Sequence, residues 1–403
     1  MNHSSDLKRI GDIFTVAIGG TPSRKRPEFW DSKKEGSNIW LSIRDISQNK
    51  GLRIVDSLEY ISNEGVKSSN VKAIPKNTAL MTFKLTIGKT VVSDTDLYTN
   101  EAIAAFLPKP GIEADPYYLA TILPTLSYET DQAVKGATLN KAKIEDTFIS
   151  LPEISVQKRI AQILSSVDDS INFTQSTLDE SKNLKKSLMR QLFTRGIGHT
   201  KFKQAEIGEI PEKWEVVELS QVAKVIDSLH KTPRFVKDGI AMVRVSDIKP
   251  GNLKLDETLK VSEEDYSYFT TNYIPKKNDI VLSRVGSYGI SSFVNNDEKF
   301  CMGQNTVVIS PKINNRFLFY FLNSEIVWSK IEKEVSGTGY KSLSLSSIKK
   351  LKIILPVKDE QEKIAEILES IDNQIEINKK LKVEQEQLKN GLMQDLLTGK
   401  VAV

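Results

Sequence analysis

The stretch LPEISVQKRIAQILSSVDDSI begins at Leu151, and LPVKDEQEKIAEILESIDNQI begins at Leu355. The offset of 204 residues holds without a gap for over forty residues. The Leu-Pro pairs, Gln157/Gln361, Ile160/Ile364, Ala161/Ala365, Leu164/Leu368, Asp168/Asp372 and Ile171/Ile375 coincide. Leu188-Met189 then falls opposite Leu392-Met393, and Thr194 opposite Thr398. A period near 200 residues marks a duplicated domain, because solenoid units run only about 20–50 residues.

Both copies have a helical pattern. Ile160, Leu164, Val167 and Ile171 follow steps of four and three, resumed at Leu188 and Leu192. Ile364, Leu368, Ile371 and Ile375 do the same, with Leu392 and Leu396 near the end. Such steps define a heptad seam, so these twelve residues are candidates for pairing two helices. Asp359 with Glu362 reads as a capping box, and Gly196 and Gly399 as stops. Each helix is predicted to span roughly 40 residues, about 60 Å. Thr174, Ser181 and Lys185, and likewise Asn378, Lys382 and Lys389, interrupt the seams. This predicts a middle that is looser or faces another protein.

Upstream the match is weaker but keeps its order. IWLSIRDI (39–46) sits opposite AMVRVSDI (241–248), IPKN (74–77) opposite IPKK (274–277), and GATLNKAKI (136–144) opposite GYKSLSLSSI (339–348). Short β-rich runs such as ALMTF, TVVSD, DIVLS and NTVVISP alternate with helical pieces. The predicted class is α+β: two mixed α/β domains, each followed by a long helix, the helices pairing as an antiparallel coiled coil within a pseudo-two-fold duplication. The boundaries are domain 1–150, helix 151–198, polar linker 199–214, domain 215–354 and helix 355–403.

Composition narrows the function. Of 403 residues 39% are hydrophobic and 27% charged, which suits ordinary cores. Cys301 is the single cysteine, so no disulfide framework exists, and His3, His199 and His230 are too scattered for a zinc cluster. The N-terminus lacks the apolar core of a signal peptide, and no apolar run approaches membrane-spanning length. A cytoplasmic location with no membrane contact is the expectation. A net charge of +4 is modest, so any nucleic-acid surface must come from local patches.

Motifs for chemistry are incomplete. Ile87-Gly88-Lys89-Thr90 resembles the end of a phosphate loop, but Phe83 stands where its first glycine belongs, so a strand-edge turn presenting Lys89 is the better reading. Gly19-Gly20-Thr21 lacks the spacing of a dinucleotide fingerprint. Asp115-Pro116-Tyr117 is half of an adenine methyltransferase motif without its second proline. No catalytic, metal or cofactor residue is assigned.

Polar-basic loops remain. GGTPSRKRP (19–27) holds Thr21, Ser23, Arg24 and Lys25, and SLHKTPR (228–234) holds Lys231 and Arg234. Arg44, and Arg244 with Ser246, lie in the matched 39–46 and 241–248 stretches. Arg284, Ser287 and Tyr288 lie in LSRVGSYG, Lys84 and Lys89 in KLTIGKTV (84–91), and Lys141 and Lys341 in the last matched pair. Arginine can contact guanine edges bidentately, while Ser, Thr and Lys hold phosphates. These are the candidate DNA-binding residues.

The whole arrangement resembles the specificity subunits of type I restriction–modification systems. LKRIGDIFTVAIGGTPSR and IPEKWEVVELSQVAKV are similar to the family's domain starts, NDIVLSRVGSYG (278–289) to its strand-turn segment, and LMRQLFTRG and LMQDLLTGK to its helix ends. The first half departs at KLTIGKTV, opposite SRVGSYGI of the second. The resemblance implies two target-recognition domains reading the halves of a bipartite, asymmetric site in double-stranded DNA. It implies helices that act as a spacer and dock two methyltransferase subunits, with restriction/motor subunits joining. S-adenosylmethionine, ATP and Mg would belong to those partners, and this chain would have no active site. The competing expectation is a stand-alone sequence-specific DNA-binding protein, regulatory or architectural.

Overall fold

A computed structural model describes residues 7–129, 131–133, 136–335, 341–401 and 403, with side chains left out over 131–138. His3 and the first two residues of the 339–348 stretch lie outside the described residues. The chain forms two compact units, Met1–Thr177 with Asn378–Val403, and Leu178–Ile377.

In the first unit a five-stranded sheet runs in the order Phe14–Ile18, Ile103–Pro108, Ala79–Thr82, Thr90–Ser93, Arg53–Ile54. In the second the order is Ala223–Asp227, Thr306–Pro311, Ile280–Ser283, Ser291–Phe293, Gly251–Asn252. The first four strands of each sheet pair antiparallel and the fifth joins parallel. A four-stranded sheet accompanies each, and in both its parallel pair is equivalent: Ile39–Leu41 on Leu97–Thr99, and Ile240–Val243 on Phe300–Met302. The β-branched and aromatic runs noted in the sequence are these central strands, buried on both faces.

Two long helices follow, α1 (Ile154–Arg195, 42 residues) and α2 (Lys358–Leu397, 40 residues). Each is anchored at its start by the glutamine that repeats in sequence. Gln157 donates to the Pro152 carbonyl at 2.7 Å and accepts from the Asp115 amide at 2.9 Å. Gln361 donates to the Pro356 carbonyl at 2.8 Å and accepts from the Asn314 amide at 3.1 Å. Both are buried, so the amides satisfy groups that water cannot reach. Asp359 lies inside α2 in its first turn, which displaces the capping box expected there. Gly196 and Gly399 do follow the helix ends, with φ of 61° and 69°.

The helices pair antiparallel. In the first unit Lys389 meets Asp168 at 2.6 Å, and Lys382 donates to Gln175 at 2.9 Å. In the second Lys185 meets Asp372 at 2.5 Å, and Tyr320 donates to the other oxygen of Asp372 at 2.9 Å. Each step forward on α1 is matched by an equal step back on α2. Lys185 and Lys389 are repeat equivalents, as are Asp168 and Asp372, so one ion pair is built twice. The polar interruptions are therefore the pairing device, and Thr174 and Asn378 are buried between them. This corrects the expectation of a loose middle.

The apolar ends of the seams join the domain cores. Ile160, Leu164 and Leu396 pack with Phe14, Phe106 and Tyr118, and Leu392 lies partly buried against them. Leu192, Ile364 and Leu368 pack with Phe317 and Phe321, Leu188 beside them. Phe193 stands edge-on to Phe317 at 5.8 Å and to Phe321 at 5.3 Å. Ile375 is buried, while Val167, Ile171 and Ile371 are half-buried along the middle. Segment 199–214 carries a hairpin, Phe202–Ala205 with Gly208–Pro211, and ends on buried Trp214. Glu360, at the start of α2, accepts from Trp214 Nε1 at 2.9 Å and from the Ile197 amide at 2.9 Å.

Lys389→Asp places two carboxylates together and should lower the unfolding free energy by about 2 kcal/mol, allowing for partial exposure of the pair. Adding Asp168→Lys should recover most of that loss in denaturant unfolding, as a coupled pair does.

Candidate nucleic-acid interface

Hydrogen bonds align the two domains better than sequence does. Thr82 donates its amide to the Lys89 carbonyl at 2.8 Å, and Ser283 donates to Ile290 at 2.9 Å. Gly88 closes back on Thr82 at 2.9 Å, and Gly289 on Ser283 at 2.8 Å. The turn FKLTIGK (83–89) is thus the counterpart of RVGSYGI (284–290). KLTIGKTV and SRVGSYGI, matched end to end, lie two residues out of this register. The shared glycine, Gly88 and Gly289, with φ of 84° and 78°, is the signal that would have found the true alignment.

In the first domain this turn joins Ala79–Thr82 to Thr90–Ser93, so Lys89 is presented at a strand end with no helix behind it. Thr90 Oγ1 donates to the Ala120 carbonyl at 2.5 Å. Lys84 and Lys89 are exposed. Lys89 reaches the Ser47 carbonyl at 3.4 Å, at the far end of the short helix Ile43–Gln48 that carries exposed Arg44. Thr21 donates to Glu101. Burial pushes the Glu101 carboxyl up, but the Thr21 hydroxyl, its own amide and the charge of Lys84 outweigh this and hold it below the ordinary carboxylate range. Thr21, Lys84, Lys89 and the Arg44 helix are so drawn together.

Arg24 is more constrained. Its guanidinium forms a two-pronged pair with Glu59, one arm at 2.8 Å, and lies 3.7 Å over the Trp30 ring. Ser23 and Lys25 are exposed beside it. Lys141 stands apart on helix Lys141–Asp146, paired with Glu145 at 3.5 Å.

In the second domain Arg284 is a structural tie. Its Nη1 meets Asp227 at 2.7 Å, its Nε donates to the Leu343 carbonyl at 3.1 Å, and its amide donates to Asn305 at 2.9 Å. Its counterpart is buried Phe83, and that of Asp227 is Ile18, so an ion pair stands where the first domain has two apolar residues of one cluster. The Val285–Ser342 bridge brings exposed Lys341 beside the turn. His230 approaches Asp227 at 3.7 Å; Lys231 pairs with Asp265 at 3.8 Å and lies 4.4 Å from the Tyr268 ring. Arg234 is exposed. Ser287 is exposed at the turn, whereas Tyr288 is buried and stacks on Trp328 at 5.7 Å. Arg244 is held by Asp247 through its amide at 2.9 Å and its side chain at 3.2 Å, and Ser246 donates to the same carboxylate. Asp45 does the same for Ser42 in the first domain.

The remaining motifs are structural too. Asp115 caps helix Pro116–Ile122 by accepting the amides of Tyr117 and Tyr118 at 2.9 and 3.0 Å, as Asn314 caps Asn315–Leu322. Cys301 is fully buried. Burial, with the charge of Asp265, pushes its thiol up to about 12 against the help of its own amide, so it is protonated at neutral pH. Among the described residues no cluster suits a metal ion, and no helix is long and apolar enough to cross a membrane.

Comparison with known proteins adds three findings. A model of the type I restriction modification DNA specificity domain matches residues 3–182 and 211–387. The chain is 32% identical to the type I restriction enzyme MjaVIII specificity subunit of Methanocaldococcus jannaschii, over 99% of this chain and 93% of that protein, and 25% identical to the MjaIX specificity subunit over 99% and 94%. Its fold is similar to the crystal structure of a type I restriction-modification S subunit from M. genitalium, with a TM-score of 0.59 at 12% identity over 98% of this chain and 97% of that one.

Arg284→Ala strands Asp227 and should lower stability by about 2 kcal/mol in denaturant unfolding. The double replacement Arg284→Phe with Asp227→Ile imports the first domain's pair and should restore most of it.

Proposed function

This chain belongs to the type I restriction–modification DNA specificity family, and on that premise we propose that it is the specificity subunit of a type I complex, each domain reading one half of a bipartite, asymmetric duplex DNA site. The observation that carries this is one scaffold built twice with different surfaces. The same turn presents Lys84, Leu85 and Thr86 in one domain and Val285, Gly286 and Ser287 in the other. Equal backbones with unequal side chains suit two unlike half-sites, because side chains at base edges carry the sequence information.

Exposed Lys84, Lys89, Arg44, Lys25, Arg234 and Lys341 are the residues best placed for phosphates and bases, since their side chains stand open to solvent. Arg24, Arg244 and Arg284 act by holding loops in shape. The paired helices set the distance between the half-sites and dock two methyltransferase subunits, with restriction/motor subunits completing the complex. The recognition domains are 1–150 and 215–354, and the spacer segments that carry the long helices are 151–198 and 355–403. Methyl transfer and ATP-driven cleavage, with S-adenosylmethionine, ATP and Mg, belong to those partners, and the complex works in the cytoplasm. The relatives are enzyme subunits, which disfavours a stand-alone regulator.

Genome-wide adenine methylation, mapped with and without this gene while its methyltransferase is expressed, tests the reading. Loss of one split motif, two short defined parts around an unspecified spacer, is the expected result. An unchanged methylome would overturn it.

A further inference from the structure

Leu85 combines two unfavourable features. It is 79% exposed, and among the described residues no large apolar side chain is more so. Its φ is 65°, the left-handed region that L side chains rarely adopt and in which a bulky residue is an outlier. The Thr86 amide donates to the Lys84 carbonyl at 2.7 Å, closing a strained three-residue turn around it. The equivalent position of the second domain is Gly286, with φ of 71° and open space where a side chain would stand. The turn therefore accepts glycine, and at 79% exposure the Leu85 side chain buries little of itself in the protein. Exposed strain of this kind collects at functional sites.

Its neighbours say what kind of ligand fits. Lys84 precedes it, Lys89 ends the same turn, and both are exposed. An apolar tip flanked by two cations matches duplex DNA, where lysines meet phosphates and an apolar side chain meets bases in the groove between them. We infer that Leu85 is the apolar base contact of the first domain, set by its turn against the base pairs of that domain's half-site. The inference rests on the DNA-reading function proposed above, and names the residue through which one half is read.

The test is Leu85→Gly in the full chain co-expressed with its methyltransferase subunits. Glycine relieves the left-handed backbone, so the thermal midpoint of the purified complex should hold or rise. Affinity for a duplex carrying the split motif mapped from genomic DNA should nonetheless fall about tenfold, a difference of about 1.4 kcal/mol. The methylated motif should become degenerate in one half only. Unchanged affinity and motif in a stable variant would overturn the inference, as would a lowered midpoint or equal loss in both halves, which mark a structural role. A wild-type complex that shows no preference for any sequence would instead overturn the specificity-subunit reading itself.

Discussion

The register of the two helices is the constraint on which the other features depend. The Lys185–Asp372 and Lys389–Asp168 pairs are one interaction used twice, at repeat-related positions. A partly buried ion pair adds little net stability, because desolvation consumes most of its Coulomb energy. A slip of one helical turn, however, strands both charges and costs about 2 kcal/mol per pair, allowing for their partial exposure. Leucines alone tolerate such slips; a polar group at a seam position does not. Each domain's core then depends on the same register, since Leu192 and Phe193 of α1 close one core with Ile364 and Leu368 of α2.

Above this scaffold the domains keep backbone geometry and exchange side chains. Gln157 and Gln361 make the same two hydrogen bonds, and Asp115 and Asn314 cap equivalent helices. Apolar Phe83 and Ile18 stand at the positions that the ion-paired Arg284 and Asp227 occupy in the other domain. An arginine in a Gly-flanked turn can thus be part of the frame, while the freely presented groups beside it vary.

The duplication, both long helices and their glycine stops were legible because they rest on local periodicity and on identical residues at a constant offset. The sheet order was not, since pairing such as Ile39–Leu41 with Leu97–Thr99 joins distant segments. The lysines of the seam read as interruptions because their aspartates lie on the other helix. Arg24, Arg244 and Arg284 read as DNA contacts because charge is visible in sequence, whereas partners such as Glu59, Asp247 and Asp227 are assigned only by folding. Leu85 is not legible in the sequence, because a positive φ at leucine leaves no sequence signal.

If the helix pair fixes the spacing of the half-sites, its length must be readable in the DNA. Seven residues inserted into both helices, after Thr177 and after Ile377, preserve the heptad and add about 10 Å. Motif mapping by adenine methylation should return the same two half-sites with a spacer about three base pairs longer, at 3.4 Å per pair. The same half-sites with an unchanged spacer would contradict the account.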